Sequence, residues 1–140
     1  MEFSTKLIDN EFNIINEWIS VSSPASMAYL LPDSTLLYPC KKESPSIEIG
    51  GVGGRILKYD WEGNILWDWT SEEYDLHHDI EPLPNGNILV IGIETISDGI
   101  SADVILEVRP FGTDNAEIVW EWHVWDHRGS NNPYLSLIHI

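Results

Sequence analysis

The sequence is short of cysteine, of positive charge and of long apolar runs, and each shortage excludes a class of protein. Cys40 is the only cysteine among 140 residues, so neither an internal disulfide nor a cysteine-based zinc site can form. Seven basic residues against 23 acidic ones give a formal net charge of −16, which argues against nucleic acid and anionic membrane surfaces as partners. No apolar run approaches the roughly 18 residues of a spanning helix, so we expect no membrane insertion.

Helical periodicity and targeting signals are missing as well. No apolar stripe of 3.6-residue period extends beyond about ten residues, which predicts a low helix content. The first residues lack the basic and apolar regions of a signal peptide. Residues 135–140 match the translation of a transposase adapter used in sequencing libraries. We therefore expect the chain to be a gene fragment that runs into adapter sequence, and we leave this tail out of the interpretation.

What the chain does contain is a repeat. Three segments have the form strand, polar turn, and strand ending in an acid and a tryptophan: 6–18, 56–69 and 105–122. A second unit with a proline before its turn occurs at 27–38 and at 79–90. Trp18, Trp69 and Trp122 lie 51 and 53 residues apart, and Pro32 and Pro84 lie 52 apart. The two markers agree, which indicates a structural unit of about 52 residues.

The repeated unit is predicted to consist of β-hairpins. Turn residues stand between β-rich runs at 61–64 and at 84–87. In 65–69 the alternation places both tryptophans on one face and Asp68 on the other, and 118–122 repeats that arrangement. The run 88–91 is apolar at every position, so we expect this strand to be covered on both faces.

These hairpins predict an all-β fold, a β-propeller fragment of about two and a half four-stranded blades. Within a domain over 1–134, we expect an outer half-blade, two whole blades and the start of a fourth unit, at 5–18, 25–69, 77–122 and 123–134. A closed ring needs at least about four blades, so the chain is not expected to close alone. A two-sheet sandwich is the alternative, but it does not require so regular a repeat.

His77 and His78 stand out because the repeat does not demand them. Their counterparts one unit earlier are Ala25 and Ser26, whereas the hairpin residues recur. Followed by Asp79, they open an inner strand at the predicted channel rim. Adjacent strand residues point to opposite faces, and we favour His78 as the residue that faces the channel. The alternative is a pair of hydrogen-bonded histidines that only holds the connection between blades.

A second cluster covers 120–127. If extended, it places His123, Trp125 and His127 on one face and Asp126 on the other. Both clusters lie in connections at the same end of the predicted propeller, so they could converge at the channel mouth. The alternative is an aromatic-rich connection that covers the rim.

Two other patterns resemble binding sites, for a metal and for a phosphate, but neither has the spacing that such a site needs. The histidines and aspartates of both clusters include enough ligand types for a metal, but no His-x-His or His-Glu-x-x-His spacing is present, so we expect no metal site. The glycine-rich stretch at 50–54 lacks the Lys-Ser/Thr of a phosphate-binding loop and is interpreted as a flexible connection.

Four stretches resemble the bacterial arylsulfotransferase family: GGRILKYDWEGNILWDW at 53–69, HHDIEPLPNGNILV at 77–90, ADVILEV at 102–108 and EIVWEWHVWDH at 117–127. The resemblance extends from about residue 5 to residue 127. After His127 the sequence RGSNNPY departs from the hydrophobic residue expected next.

The resemblance implies a six-bladed propeller, periplasmic or secreted, that transfers a sulfuryl group from a phenolic sulfate donor to a phenol acceptor. It implies a transiently sulfated histidine and neither a nucleotide donor nor another cofactor. His78 matches the histidine of the His-Asp-Ile motif and His127 that of the Trp-Asp-His element, so both are candidate catalytic residues. His77, Asp79, His123 and Asp126 are the candidate supporting residues. A non-catalytic propeller that serves as a binding or assembly scaffold is the alternative function.

Overall fold

The structure, a computed structural model, describes residues 1–43, 52–96 and 100–127. These residues form ten strands: β1 Phe3–Ile8, β2 Ile14–Ser20, β3 Tyr29–Leu30, β4 Leu36–Lys41, β5 Gly54–Tyr59, β6 Ile65–Thr70, β7 Asp75–Pro82, β8 Ile88–Thr95, β9 Ser101–Phe111 and β10 Asn115–His123. A short 3-10 helix, Val124–His127, follows β10. The described residues contain no α-helix, as the missing helical periodicity predicts. Arg128, the tail at 135–140 and the first part of the glycine-rich stretch lie outside these ranges.

The ten strands form three antiparallel sheets. Sheet 1 is the pair β1–β2, sheet 2 has the order β3-β4-β5-β6, and sheet 3 has the order β7-β8-β9-β10. The all-β prediction and the open stack of about two and a half four-stranded blades are thus confirmed, and the strands described here close no ring. The blade boundaries at 25–69 and 77–122 stay a prediction, although sheets 2 and 3 fall within a few residues of them.

Each of three hairpin turns contains a residue with a positive φ. Gly63 and Gly86 have φ of +88° and +86° in the two turns that the sequence marks with Asn and Gly. In the β3–β4 turn the equivalent position is Ser34, with φ of +65°. The Leu31 N–H donates to Thr35 O and the Leu83 N–H to Asn87 O, both at 2.8 Å, so the same turn closes both hairpins.

Consecutive sheets stack face against face, which is visible at two neighbouring residues of β4. Leu36 packs toward sheet 1 in a cluster with Trp18 and Tyr59. Leu37 points the other way, into a second cluster with sheet 3 that includes Val90 and Leu106. Sheet 2 is therefore covered on both faces, and β4 is buried from Leu36 to Cys40.

Indole groups connect each sheet to the next one along the chain. Trp18 Nε1 of sheet 1 donates to the Asp60 carbonyl in the β5–β6 turn at 2.7 Å. Trp67 Nε1 of sheet 2 donates to the Asn115 carbonyl at the start of β10 at 2.8 Å. In both cases the donor lies in the last strand of one sheet and the acceptor in the last hairpin of the next. The contact therefore has a direction along the stack.

Sheet 3 has one face without a neighbouring sheet in the described part of the chain. The strand pairing aligns two rows on it, Leu89–Glu107–Trp120 and Ile91–Ile105–Trp122, which together we call the open face. The prediction that 88–91 is covered on both sides is therefore met on one side only: Ile88 and Val90 are buried, whereas Leu89 and Ile91 are half-buried. Trp120, like Trp67, follows a bulge in its hairpin, yet it is 48% exposed.

Candidate functional site

The centre of the candidate site is a bulge in β7. The pairing of β7 with β8 shifts between Leu76 and Ile80, so His77, His78 and Asp79 together oppose a single β8 residue. His78 has φ of +58°, a left-handed conformation that is uncommon for residues other than glycine. Among the described residues, the other non-glycine positions with positive φ are Phe12 and Ser34, which lie in hairpin turns, whereas His78 lies within a strand. Such backbone strain is concentrated at functional sites.

The bulge brings the two histidine rings into contact. Their centroids are 4.8 Å apart at an interplanar angle of 79°, and the two Nδ1 atoms are 2.5 Å apart. The rule that neighbouring side chains of a strand diverge does not hold here, because the extra residues interrupt the alternation. His77 is buried and His78 is exposed. Burial, the largest influence on His77, lowers the pKa of its imidazole below the ordinary value of 6.5.

Asp79 fixes the bulge to sheet 2. Its Oδ1 accepts the Ile80 backbone N–H at 2.9 Å. The Tyr29 hydroxyl in β3 lies 3.2 Å from both carboxylate oxygens. Burial, followed by the charge of Asp79, raises the pKa of Tyr29, so this phenol stays protonated and can donate. Asp79 therefore holds the backbone that carries the histidines.

The second cluster does not continue as a strand. β10 ends at His123, and Val124–His127 winds into the 3-10 helix, so the extended arrangement with His123, Trp125 and His127 on one face is wrong. The tight turn carries His127 back over the sheet, where its ring stacks on Trp122 with centroids 4.7 Å apart at 11°. Asp126 and His127 are exposed.

His123 has acidic neighbours. Its Nδ1 lies 3.0 Å from Glu94 Oε2, and its Nε2 lies 3.6 Å from Glu121 Oε1. The hydrogen bond with Glu94 is the main cause that raises the pKa of His123, so its cationic form is favoured. An open hollow of about 320 Å³ adjoins this pair and is lined by Glu94, Thr95, Ile96, His123, Trp125 and Asp126.

The structure places the two clusters at the same end of sheet 3 but on opposite edges. His123 pairs with Val104, and that row continues through Gly92 to Leu76, the residue before His77. Three strand spacings of about 4.8 Å separate β7 from β10, roughly 14 Å in all. No contact between His78 and His127 is present within the described ranges. The described sheets form no closed ring, so convergence of the two clusters at a channel mouth stays a prediction.

Both described arginines are paired with carboxylates. Arg55 makes two hydrogen bonds to the Asp68 carboxylate, at 2.7 and 2.6 Å, and donates to Ser22 Oγ at 2.9 Å. Arg109 pairs with Glu117. Among the described residues no group of three or more His, Cys, Asp or Glu side chains could hold a metal ion, and no helix there is long and apolar enough to cross a membrane.

Sequence reasoning missed three residues that contact the candidate histidines or their support: Tyr29, Glu94 and Asp103. Asp103 Oδ1 lies 3.4 Å from His77 Nε2. The sequence held a signal for Asp103, since this acid stands near the start of β9 between Ala102 and the apolar run 104–106. Tyr29 and Glu94 gave none, because their contacts depend on how the sheets and strands align.

The arylsulfotransferase (ASST) family model matches residues 29–132. The chain belongs to the arylsulfotransferase family. The match spans sheets 2 and 3 and includes all six candidate residues. No curated protein and no solved structure matches it. The family points in general to sulfotransferase activity on aryl sulfates, with phenols and their sulfates as substrates.

Proposed function

We propose that the chain supplies part of the active site of an arylsulfate sulfotransferase that moves a sulfuryl group from a phenolic sulfate to a phenol through a transiently sulfated histidine. The observation that carries the proposal is the β7 bulge, which sets an exposed imidazole, His78, beside a buried one, His77. The equivalent hairpin of sheet 2 has the same two-residue excess, between the pairs Pro24–Cys40 and Tyr29–Leu37, but Ala25 and Ser26 stand there in place of the histidines. The repeat therefore supplies the bulge, and the two imidazoles are what sheet 3 adds to it.

The chemistry of the bulge suits proton transfer to and from a phenol. A neutral imidazole accepts a proton near pH 7, and an imidazolium can donate one to a departing phenolate. His78 is therefore the proposed acid–base or oxyanion-binding residue. His127 stacks on Trp122 of β10, whereas His78 belongs to β7 at the opposite edge of sheet 3. We accordingly propose His78 as the first catalytic residue and His127 as a candidate to be tested separately.

We propose that an arginine outside the described residues adds positive charge around the sulfuryl oxygens. Oxyanions in such reactions are stabilised by preorganised cations and N–H donors, and Arg55 and Arg109 are both engaged in ion pairs. The open face of sheet 3 provides a place for further blades to stack. We propose that additional blades complete the site, and we expect the 140-residue chain alone to be inactive.

The test uses the complete gene that contains this segment. Phenol-dependent release of nitrophenol from nitrophenyl sulfate measures the proposed transfer. We expect His78→Ala to lower kcat/KM by about 100-fold or more, the usual contribution of an acid–base group. Asp114→Ala, in the exposed β9–β10 turn of the same sheet, is the matched control and should retain full activity.

Two outcomes contradict the proposal. A folded protein that releases no nitrophenol would leave the non-catalytic scaffold as the better account. Undiminished turnover by His78→Ala would remove His78 from the mechanism while leaving the family's reaction intact.

A further inference from the structure

The environment of His77 determines where the hydrogens of the histidine pair lie. The His77 side chain is only 8% exposed, and its pKa is lowered by burial, so the ring is neutral and carries one N–H. Its Nε2 is buried without an aligned hydrogen-bond partner, and the closest charged group is the Asp103 carboxylate, with Oδ1 at 3.4 Å. Asp103 belongs to β9 and is itself 39% exposed at its side chain, so a small rotation can bring it into hydrogen-bond geometry.

A carboxylate accepts hydrogen bonds and donates none, so the hydrogen of His77 is favoured on Nε2. His77 Nδ1 then carries a lone pair. The neighbouring Nδ1 of His78 is 2.5 Å away, and two lone pairs at that distance would repel each other. His78 must therefore carry its hydrogen on Nδ1 and donate it to His77. In neutral His78 this leaves the lone pair on Nε2.

We propose that Asp103 is a positioning residue that acts through His77 to hold His78 in the Nδ1–H tautomer, with the Nε2 lone pair free to accept the proton of the acceptor phenol. The role of the substrate rests on the proposed function, whereas the tautomer rests on the burial of His77 and on the positions of Asp103 and His78. In the step itself, the phenol O–H bond breaks, the proton bonds to His78 Nε2, and the oxygen keeps the electron pair as a phenolate. The product imidazolium still donates its Nδ1–H to His77.

The other groups around the pair are compatible with this arrangement. Asp75, two residues before His77, is engaged by Lys42 at 2.6 Å. Asp79 accepts hydrogen bonds from Ile80 and Tyr29, as described above. Asp103 is thus the one described carboxylate that lies against the His77 ring.

The tautomers can be read by solid-state ¹⁵N NMR of the histidine-labelled chain, a method that does not depend on whether the chain is a monomer. Signals are assigned with His77→Gln and His78→Gln. In the unmodified chain we expect a hydrogen on His77 Nε2 and on His78 Nδ1, with His78 Nε2 unprotonated. In Asp103→Asn the amide can donate a hydrogen bond as well as accept one, so His77 can also carry its hydrogen on Nδ1. His77 then donates to His78 Nδ1, and the hydrogen of His78 moves to Nε2. We expect this second arrangement to become populated in the variant.

Glu107→Gln is the matched control, since it removes a carboxylate from the same strand and face, where it binds Asn85 and Asn87 rather than a histidine. It should leave both tautomers unchanged. In the complete enzyme, Asp103→Asn should lower kcat/KM by about 10- to 100-fold, the usual cost of losing a group that orients a histidine, whereas Glu107→Gln should not.

The outcomes separate the two proposals. A hydrogen on His78 Nε2 in the unmodified chain, or tautomers unchanged by Asp103→Asn, overturns the role of Asp103 whatever the activity. The expected tautomers in a protein without turnover would support the Asp103–His77–His78 arrangement and refute the proposed function instead.

Discussion

At the scale of single residues, the sequence located the candidate site but not its geometry. His77, His78 and Asp79 could be singled out because the preceding unit lacks them. Their ring contact could not be predicted, since it depends on a bulge that suspends the alternation of a strand. Asp103 reaches His77 from another strand, and such a contact depends on register rather than on neighbouring sequence.

One prediction at this scale concerns His123 and Glu94. Because Glu94 raises the pKa of His123 above 6.5, the interaction stabilises the fold fully below that value, and the stabilisation is lost as pH rises through the raised pKa. Glu94→Gln should therefore destabilise the protein at about pH 5.5 and have little effect at about pH 8.5. Urea denaturation of both proteins at the two pH values measures this difference.

His77 does not disturb that comparison. Its lowered pKa costs stability as pH falls below 6.5, because the unfolded chain then binds the proton more readily, but this cost is common to both proteins. An equal loss of stability in Glu94→Gln at both pH values would show that His123 is not charged by Glu94.

At the scale of strands and hairpins, prediction succeeded where local chemistry decides the structure. Gly63 and Gly86 adopt the positive φ that their turns require, and the tryptophans of β6 stack on one face with centroids 5.8 Å apart. Prediction failed after His123, where an alternating pattern favoured a strand and the chain forms a 3-10 helix. The stacking of His127 on Trp122 is a contact between side chains that strand periodicity does not encode.

The indole contacts give a prediction for matched hairpin positions. Trp67→Phe keeps an aromatic ring but removes the donor to the Asn115 carbonyl, so we expect a loss of about 1 kcal/mol, the usual net worth of one hydrogen bond. Trp120→Phe changes the same position one sheet later, where the indole is 48% exposed, and should change stability by less than about 0.5 kcal/mol. Thermal or urea unfolding compares the two variants, and equal losses would contradict the indole's role.

At the scale of the whole molecule, the stacking of consecutive sheets could be predicted from the repeat, because β4 is apolar on both faces and needs cover on both. Whether a ring closes cannot be read from these residues, since closure depends on how many sheets stack and at what angle. The described sheets leave exposed apolar residues at both ends of the stack, among them Ile15, Ile19 and Trp120.

We therefore expect the isolated chain to self-associate. Sedimentation velocity over a range of concentrations should show species larger than one chain. Trp120→Lys, on the open face, should weaken this association, whereas Phe12→Lys, which changes a residue 81% exposed in the β1–β2 turn, should not. A monodisperse monomer that melts cooperatively would show that the apolar faces at the two ends of the stack are stable without another sheet packed on them.

The direction of the indole contacts also determines the symmetry available to any such assembly. A twofold dimer formed through the open faces would pair two equivalent surfaces, and it would not reproduce a contact that runs from the last strand of one sheet to the last hairpin of the next. An assembly that reproduces the contact from Trp67 to the Asn115 carbonyl has to be head to tail. Head-to-tail contacts are heterologous, so they either close into a ring or continue as a filament. Electron microscopy of the associated chain would accordingly reveal rings or fibres rather than discrete twofold dimers.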